Sequence, residues 1–218
     1  MKKMYPFLEA LAANNNRPWF EENKAWYEEA RKEAENILGN CISEIGKFED
    51  LGLLKPKETM YRIYRDVRFS KNKDPYKRNF SGLISRDGRK QNSVYGYYVH
   101  FESGNNFMAA GLYEPTPEQL SQIRQEIDYN SQQFKLIVQE ADFVKTFGGV
   151  QGNQLKTAPK GYPKDHPDIE WLRFTQYYCS CPFSNEEVLS SGFPQMLADR
   201  CKKLRPFLEF LSRSLGQD

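Results

Sequence analysis

The sequence has few of the residues on which metal and cofactor chemistry usually depends. Its 218 residues include only two histidines, His100 and His166. A metal site would therefore rest mostly on carboxylates, and nothing in their spacing indicates one. The phosphate-binding P-loop, the dinucleotide-binding glycine fingerprint, the Gly-x-Ser-x-Gly elbow and the His-Glu-x-x-His zinc motif are all absent. We expect no metal site, and the sequence names no cofactor.

Cysteine is also scarce, with four residues in the chain. Only Cys179 and Cys181 are close together, and their spacing differs from the C-x₂₋₄-C pairs of structural zinc sites. Alternate residues of a strand point to the same side, so these two thiols are expected to pack next to each other as buried free cysteines.

Long apolar runs are missing as well. No segment approaches the roughly 20 apolar residues that span a bilayer. The first sixteen residues lack the apolar core and small-residue cleavage site of a signal peptide. These features predict a soluble, cytoplasmic protein without a membrane partner.

The order of the predicted elements indicates an α+β protein. Apolar spacing predicts a helix over residues 5–13 and one long helix from Pro18 to about Lys47. Strands are predicted over the segment MYRIYRD, over Phe80–Ser85, over a hairpin formed by Val94–Glu102 and Phe107–Tyr113, and over Phe174–Cys181. Capping boxes at Thr116 and Ser184 begin further helices, and a closing helix covers about 194–215.

This order favours a mainly antiparallel sheet flanked by N-terminal and C-terminal helices. No change of composition marks a domain boundary, so residues 1–218 are expected to form a single domain.

The segment Tyr61–Phe80 is the most unusual part of the chain, because basic and aromatic residues alternate in it. Residues 55–90 contain twelve basic and four acidic residues, a net charge of +8, whereas the whole chain carries +2. Such a concentration of charge can create a local field that attracts anions. The residues that we expect to contact an anionic ligand here are Arg62, Arg65, Asp66, Arg68, Lys71 and Lys77.

The chemistry of these side chains supports that expectation. Arginine grips carboxylate or phosphate with a planar fork, and lysine adds a point charge. On an extended backbone Arg62, Asp66 and Arg68 would project from one side, so Asp66 could orient an arginine. The alternative is a solvated basic face held by internal ion pairs.

Two further places offer titratable groups. On the first hairpin strand Tyr98, His100 and Glu102 share the face opposite to the apolar residues, and Tyr98 and His100 could complete the pocket. In the long connection that follows residue 150, Tyr162 and His166 could do the same. Either histidine could transfer protons, although a strand histidine bonded to a neighbour and a helix-capping turn are the structural alternatives.

Several segments together resemble a known family. FLEALAANNNRPWFEENK, RIYRDVRFSKNKDPYK, GYYVHFE, PKGYPKDHPDIEWLR and RPFLEFL are similar to the bacterial and fungal proteins grouped as domain of unknown function 2461. The resemblance covers nearly the whole chain and implies a single domain. It implies no reaction, cofactor or catalytic residue.

Three functions remain open at this point. The leading hypothesis is a protein that binds a small anionic or phosphorylated ligand through the basic and aromatic stretch, with a histidine as the proton-transfer group if it is an enzyme. The alternative is a nucleic-acid or protein-binding module that uses the same stretch. The third is a structural stretch that pairs with the acidic remainder of the chain. The sequence does not give the oligomeric state.

Overall fold

The computed structural model describes residues 3–86, 88 and 96–216. Four helices come first, followed by three strands, four helices, a fourth strand and two final helices. In chain order they are α1 Met4–Ala13, α2 Arg17–Glu22, α3 Lys24–Ile45, α4 Pro56–Thr59, β1 Phe80–Ile84, β2 Tyr97–Phe101, β3 Asn106–Leu112, α5 Pro117–Tyr129, α6 Ser131–Val138, α7 Ala141–Phe147, α8 Ile169–Leu172, β4 Tyr177–Phe183, α9 Asn185–Val188 and α10 Phe193–Ser214.

The strands form one sheet in the order β1-β2-β3-β4. The sheet is antiparallel and helices stand at both ends of the chain, so the predicted α+β class is confirmed. In β3 and β4 buried residues alternate with more exposed ones, which is the pattern of a sheet with one covered face. Tyr97, Val99 and Phe101 of β2 are fully buried, as the apolar alternation predicted.

The chain divides into two compact units. The first consists of Met1–Asn92, Tyr97–Met108 and Pro182–Ala198, and the second of Ser93–Gly96, Ala109–Cys181 and Asp199–Asp218. The expectation of a single domain stays a prediction.

The first unit is built around the ring of Phe7. This fully buried ring lies within about 6 Å of the rings of Trp19, Phe20, Trp26 and Phe80. Trp19 and Trp26 lie seven residues apart, are half-buried and pack against this buried ring. Their cluster joins α1, α2 and α3 to the start of β1.

The long helix predicted from Pro18 to about Lys47 is wrong in one respect, because the chain forms two helices there. α2 ends at Glu22 and α3 begins at Lys24, with Asn23 between them at φ −105° and ψ 18°. The side chain of Asn23 donates a hydrogen bond to the carbonyl of Trp19 at 2.9 Å. Asparagine competes with the helix for backbone partners in this way, and apolar spacing alone does not reveal such a break.

The second unit is mostly helical. The side chains of Phe134 and Phe143 are buried against Phe207, and Phe134 also contacts Phe210. The guanidinium of Arg124 donates hydrogen bonds to the carbonyls of Leu172 and Phe174, at 2.8 and 3.0 Å. The predicted capping box of Thr116 and Gln119 begins α5 in this unit.

Two other sequence predictions have clear outcomes. The hairpin is confirmed as β2 and β3, although its predicted first residues, Val94 and Tyr95, lie outside the described residues. Cys179 and Cys181 are buried free thiols, as expected. In the part of the chain that the structure describes, no helix is both long and apolar enough to cross a bilayer.

Candidate functional site

The basic stretch folds back on itself beside β1. The predicted strand MYRIYRD is wrong as a regular strand, because only isolated bridges join Met60 to Gly82 and Tyr64 to Tyr76. Between those bridges the backbone NH of Lys77 donates to the carbonyl of Ile63 at 2.7 Å. We call residues 61–78 the basic hairpin. Proline and several exposed charges keep it from forming a regular ladder.

Aromatic stacking fixes the basic hairpin to the helices of the first unit. The rings of Tyr76 and Phe20 are stacked, with centroids 4.0 Å apart and planes 13° apart. The side chain of Asn15 both donates to the carbonyl of Tyr76 and accepts from its NH, at 3.0 and 3.1 Å. Tyr76 therefore attaches the basic hairpin both to Phe20 of α2 and to Asn15.

Three side chains on one face of β2 form a hydrogen-bonded series. The hydroxyl of Tyr98 lies 2.9 Å from Nδ1 of His100, and Nε2 of His100 lies 3.2 Å from Oε2 of Glu102. An ionised carboxylate only accepts hydrogen bonds, so Nε2 carries the proton and donates it to Glu102. Nδ1 then accepts from Tyr98. We call these three residues the Tyr-His-Glu series.

Both ends of the series are held by further hydrogen bonds. Ser81 of β1 faces His100 in the β1–β2 register, and its hydroxyl is hydrogen-bonded to the hydroxyl of Tyr98. At the other end Asn105 donates its amide to Oε2 of Glu102 at 2.8 Å. Ser81 and Asn105 therefore hold the two ends of the series.

Aromatic rings and a lysine surround the series. Phe107 of β3 stacks on the imidazole of His100, with centroids 4.6 Å apart. The ring of Tyr61 lies 6.2 Å from that of Tyr98, and the ammonium of Lys77 lies 5.3 Å from the centroid of Tyr61. The hairpin thus brings one of its cations, through Tyr61, to the side of the sheet that carries Tyr98.

The surroundings shift the acidities of the series. His100 is only 8% exposed, and burial lowers the pKa of its imidazole, with the positive charge of Lys77 acting in the same direction. The hydrogen bond to Glu102 and its charge oppose that shift. Burial also raises the pKa of the Tyr98 phenol. At neutral pH the imidazole is uncharged and Tyr98 keeps its proton.

The arginines that the sequence nominated have partners inside the basic hairpin. Arg68 forms a two-pronged ion pair with Asp66, with Nε and Nη2 at 3.0 and 2.7 Å from the carboxylate oxygens. The pair is exposed, and it lowers the pKa of Asp66. Arg65 donates to the carbonyl of Asp74 and to the hydroxyl of Ser70. These two guanidiniums therefore stabilise the loop that they belong to.

The other three basic residues that the sequence predicted as ligand contacts, Arg62, Lys71 and Lys77, are not equally exposed. Arg62 and Lys71 are exposed, and Arg62 lies close enough to Asp66 to contribute to lowering its pKa. Lys77 is half-buried and is the nominated cation next to the Tyr-His-Glu series. Of the residues proposed as ligand contacts, the structure brings together Lys77, Tyr98 and His100.

The remaining nominated residues, Tyr162 and His166, belong to the second unit. Nε2 of His166 donates to Asp128 at 3.0 Å, and its Nδ1 accepts from the NH of Asp168 at 3.1 Å. Both ring nitrogens are therefore used, one on α5 and the other at the residue that precedes α8. The ring of Tyr162 meets that of His166 edge-on, with centroids 5.7 Å apart.

Comparison with known proteins identifies the family. The family model described as "Conserved hypothetical protein (DUF2461)" matches residues 3–210. The chain belongs to this family. No curated protein and no solved structure gives a significant match to this DUF2461 protein.

Sequence reasoning found part of the site in this DUF2461 protein. The two-residue period of β2 placed Tyr98, His100 and Glu102 on one face, but it did not reveal Ser81, Asn105 or Phe107. Ser81 joins them only through the pairing of β1 with β2, which the local sequence does not encode.

A metal has no evident place among these groups. Within residues 3–86, 88 and 96–216 no group of three or more His, Cys, Asp and Glu side chains could hold a metal ion. An imidazole that is hydrogen-bonded to a phenol and to a carboxylate is an arrangement that can transfer protons.

Proposed function

We propose that this DUF2461 protein binds a small anionic ligand, such as a phosphorylated or carboxylate-bearing metabolite, between Lys77 of the basic hairpin and the face of β2 that carries Tyr98. The observation that carries the proposal is the position of Lys77, whose ammonium lies 5.3 Å from the ring centroid of Tyr61 and whose charge adds to the lowering of the pKa of His100 by burial. Lys77 is half-buried, and a half-buried cation interacts with an anion more strongly than one in bulk water.

Several neighbouring groups suit such a ligand. The rings of Tyr61 and Phe107 offer flat apolar walls, and Tyr98 offers a hydroxyl group. The exposed Arg62 contributes to the attraction of anions from solution. In this proposal Arg65 and Arg68 shape the basic hairpin, and Lys77 makes the direct contact.

The test is a thermal-shift titration with inorganic phosphate, followed by a panel of phosphorylated and carboxylate metabolites. Ligands that bind only the folded state raise Tm with concentration. We expect Lys77→Gln to abolish the rise. Lys71→Gln removes the same charge from an exposed position of the same hairpin and is the matched control. Sodium chloride at equal ionic strength corrects for screening.

Equal loss of the phosphate response in Lys77→Gln and Lys71→Gln would contradict the proposal, because it would indicate a diffuse field. An unchanged response in Lys77→Gln would contradict it as well. Arg68→Gln provides a further comparison, and we expect it to retain the response.

One observation favours a second candidate, a binding module for single-stranded nucleic acid. Phe69, in the basic hairpin, is 95% exposed, and the guanidinium of Arg68 lies 5.7 Å from its ring centroid. An exposed aromatic ring among basic side chains can stack on a base while the cations contact phosphates.

This candidate is tested by fluorescence anisotropy with a labelled oligothymidine at several salt concentrations. Binding should weaken linearly with the logarithm of salt, and Phe69→Ala should weaken it by about five- to a hundredfold at each salt concentration. Leu53→Ala is the control, since Leu53 is an equally exposed apolar residue outside the basic hairpin. The absence of salt-dependent binding, or equal effects of the two variants, would remove this candidate.

A further inference from the structure

The Tyr-His-Glu series has the order of roles found in hydrolytic triads. In such triads a hydroxyl donates to a histidine, and the histidine donates from its other nitrogen to a carboxylate that fixes its tautomer. Here the hydroxyl of Tyr98 takes the first place, His100 the second and Glu102 the third, at 2.9 and 3.2 Å. All three come from alternate positions of β2 and its end, so one rigid element positions them.

We propose that Tyr98 is a nucleophile activated by His100 as general base, and that its substrates are small esters that carry a negative charge next to Lys77. This inference deepens the proposed function and depends on it for the choice of substrate. The reactive groups themselves do not include Lys77.

The reaction would proceed in two balanced steps. The oxygen of Tyr98 bonds to the acyl carbon while the bond from that carbon to the leaving oxygen breaks. The phenolic proton moves to Nδ1 of His100 and then to the leaving oxygen. In the second step water attacks the tyrosyl ester, which releases the acid and restores the phenol of Tyr98.

Four features of the site support this chemistry. The imidazole is uncharged at neutral pH, so Nδ1 is able to take a proton. Glu102 accepts from Nε2 and would stabilise the imidazolium that forms. Phe107 covers one face of the imidazole and limits its rotation and its access to water. Ser81 contributes a hydrogen bond that stabilises a developing negative charge on the oxygen of Tyr98.

The test uses two chromogenic esters with the same acetyl group, neutral 4-nitrophenyl acetate and anionic 4-acetoxy-3-nitrobenzoate. Release of nitrophenolate is followed in the full chain, and peptide mapping by mass spectrometry locates the acetyl group. We expect Tyr98 to be acetylated at least tenfold faster than Tyr129, which is 73% exposed and serves as the internal reference. Tyr98→Phe should remove the fast phase of nitrophenolate release.

His100→Gln and Glu102→Gln separate the roles of the base and its partner. The first should slow acetylation of Tyr98 by about a hundredfold or more, in the range of general-base catalysis. The second should slow it less. Circular dichroism and Tm confirm that each variant is folded.

The pH profile of the wild-type chain provides a readout that does not depend on any variant. The rate of Tyr98 acetylation should follow the fraction of His100 that is neutral. It should rise with pH and become constant before pH 7, because burial lowers the pKa of His100. A tyrosine that reacts only as its phenolate gives no such plateau, because the phenolate fraction keeps rising with pH. A purely structural Tyr-His-Glu series would leave Tyr98 without the plateau, and its acetylation would rise only at high pH because burial raises the pKa of its phenol.

The outcomes are distinct. Acetylation of Tyr98 no faster than that of Tyr129, or a fast phase that persists in Tyr98→Phe, would overturn the inference. If Tyr98 reacts fast but Lys77→Gln leaves the ratio of the anionic to the neutral rate unchanged, the nucleophile stands and the proposed anion site fails. A fall of that ratio in Lys77→Gln, but not in Lys71→Gln, would support both.

Discussion

Phe107 stacks on the imidazole of His100 with ring planes 15° apart and centroids 4.6 Å apart. This contact links β3 to the Tyr-His-Glu series on β2. A stacked apolar ring removes water from one face of the imidazole and so disfavours its charged form. The acidity of His100 therefore depends on a neighbour that cannot itself ionise.

The first prediction concerns that neighbour. Phe107→Ala should let water reach His100 and move the pKa of its imidazole upward, towards the ordinary value of about 6.5. Proton NMR titration measures the change directly, because the chain has only two histidines and His166→Gln assigns their signals. Phe107→Leu keeps an apolar cover and should shift the pKa of His100 less. Identical titration curves in all three chains would contradict the prediction.

The second prediction follows from the same lowered pKa. Below about pH 6.5 the unfolded chain protonates His100 before the folded chain does. The unfolded state then binds more protons, so the stabilising effect of a neutral His100 is complete above pH 6.5. It is lost as the pH falls from there through the lower, folded pKa.

Urea unfolding between pH 7.5 and 5 provides the measurement. The free energy of unfolding should fall with pH more steeply in the wild-type chain than in His100→Gln, since the variant lacks this titration. Ionisable neighbours, namely Glu102, Lys77 and Tyr98, are present in both chains, so the difference isolates the histidine. Parallel curves would show that burial does not affect the acidity of His100.

The local sequence predicted individual helices and strands better than it predicted which strands pair with each other. The two-residue period and the turn at residues 103–106 were sufficient for the β2–β3 hairpin, because both strands lie within one short segment. The contact of Ser81 with Tyr98 depends on strands that are separated by a connection of twelve residues. Hydrophobic periodicity does not specify which strands pair across such a distance.

The basic hairpin illustrates the same limit. Its charges were evident in the sequence, but their partners were not, because Arg65 is satisfied by a carbonyl and a hydroxyl rather than by an acid. The pair of Asp66 and Arg68 spans only two residues and was the part that spacing could suggest. The spacing of residues in the sequence therefore suggested the exposed pair of Asp66 and Arg68, but it did not predict the hydrogen bonds of Arg65 that close the loop.

A third prediction tests the close packing of Gly111. This residue has φ +121°, and a Cβ built on it would lie 2.3 Å from the carbonyl oxygen of Tyr177. Gly111→Ala must therefore move backbone, and we expect a loss of more than about 3 kcal/mol of unfolding free energy. Gly104→Ala is the matched control, because Gly104 also has a positive φ, +74°, but has no atom within 4 Å of the added Cβ.

Chemical unfolding of the two variants separates conformational strain from steric overlap. Gly104→Ala should cost about 1 kcal/mol, the usual penalty for a side chain in the left-handed region. The excess in Gly111→Ala then measures the contact with Tyr177. Equal losses in the two variants would mean that the strands can separate at Gly111 without cost.

The last prediction concerns the thiols. All four cysteines are free and buried, and burial raises the pKa of Cys41 to about 12. The thiolate is the reactive species, so the folded chain should react with a disulfide reagent such as Ellman's far more slowly than the chain in guanidinium, where all four thiols are exposed. A control peptide around Cys41 gives the unprotected rate.

Because access requires opening of the fold, the rate should rise with urea well below the unfolding midpoint if cysteines are exposed by local opening, and only at the transition if global unfolding is required. Rapid reaction of Cys41 in the native chain at pH 8 would contradict its burial in the core.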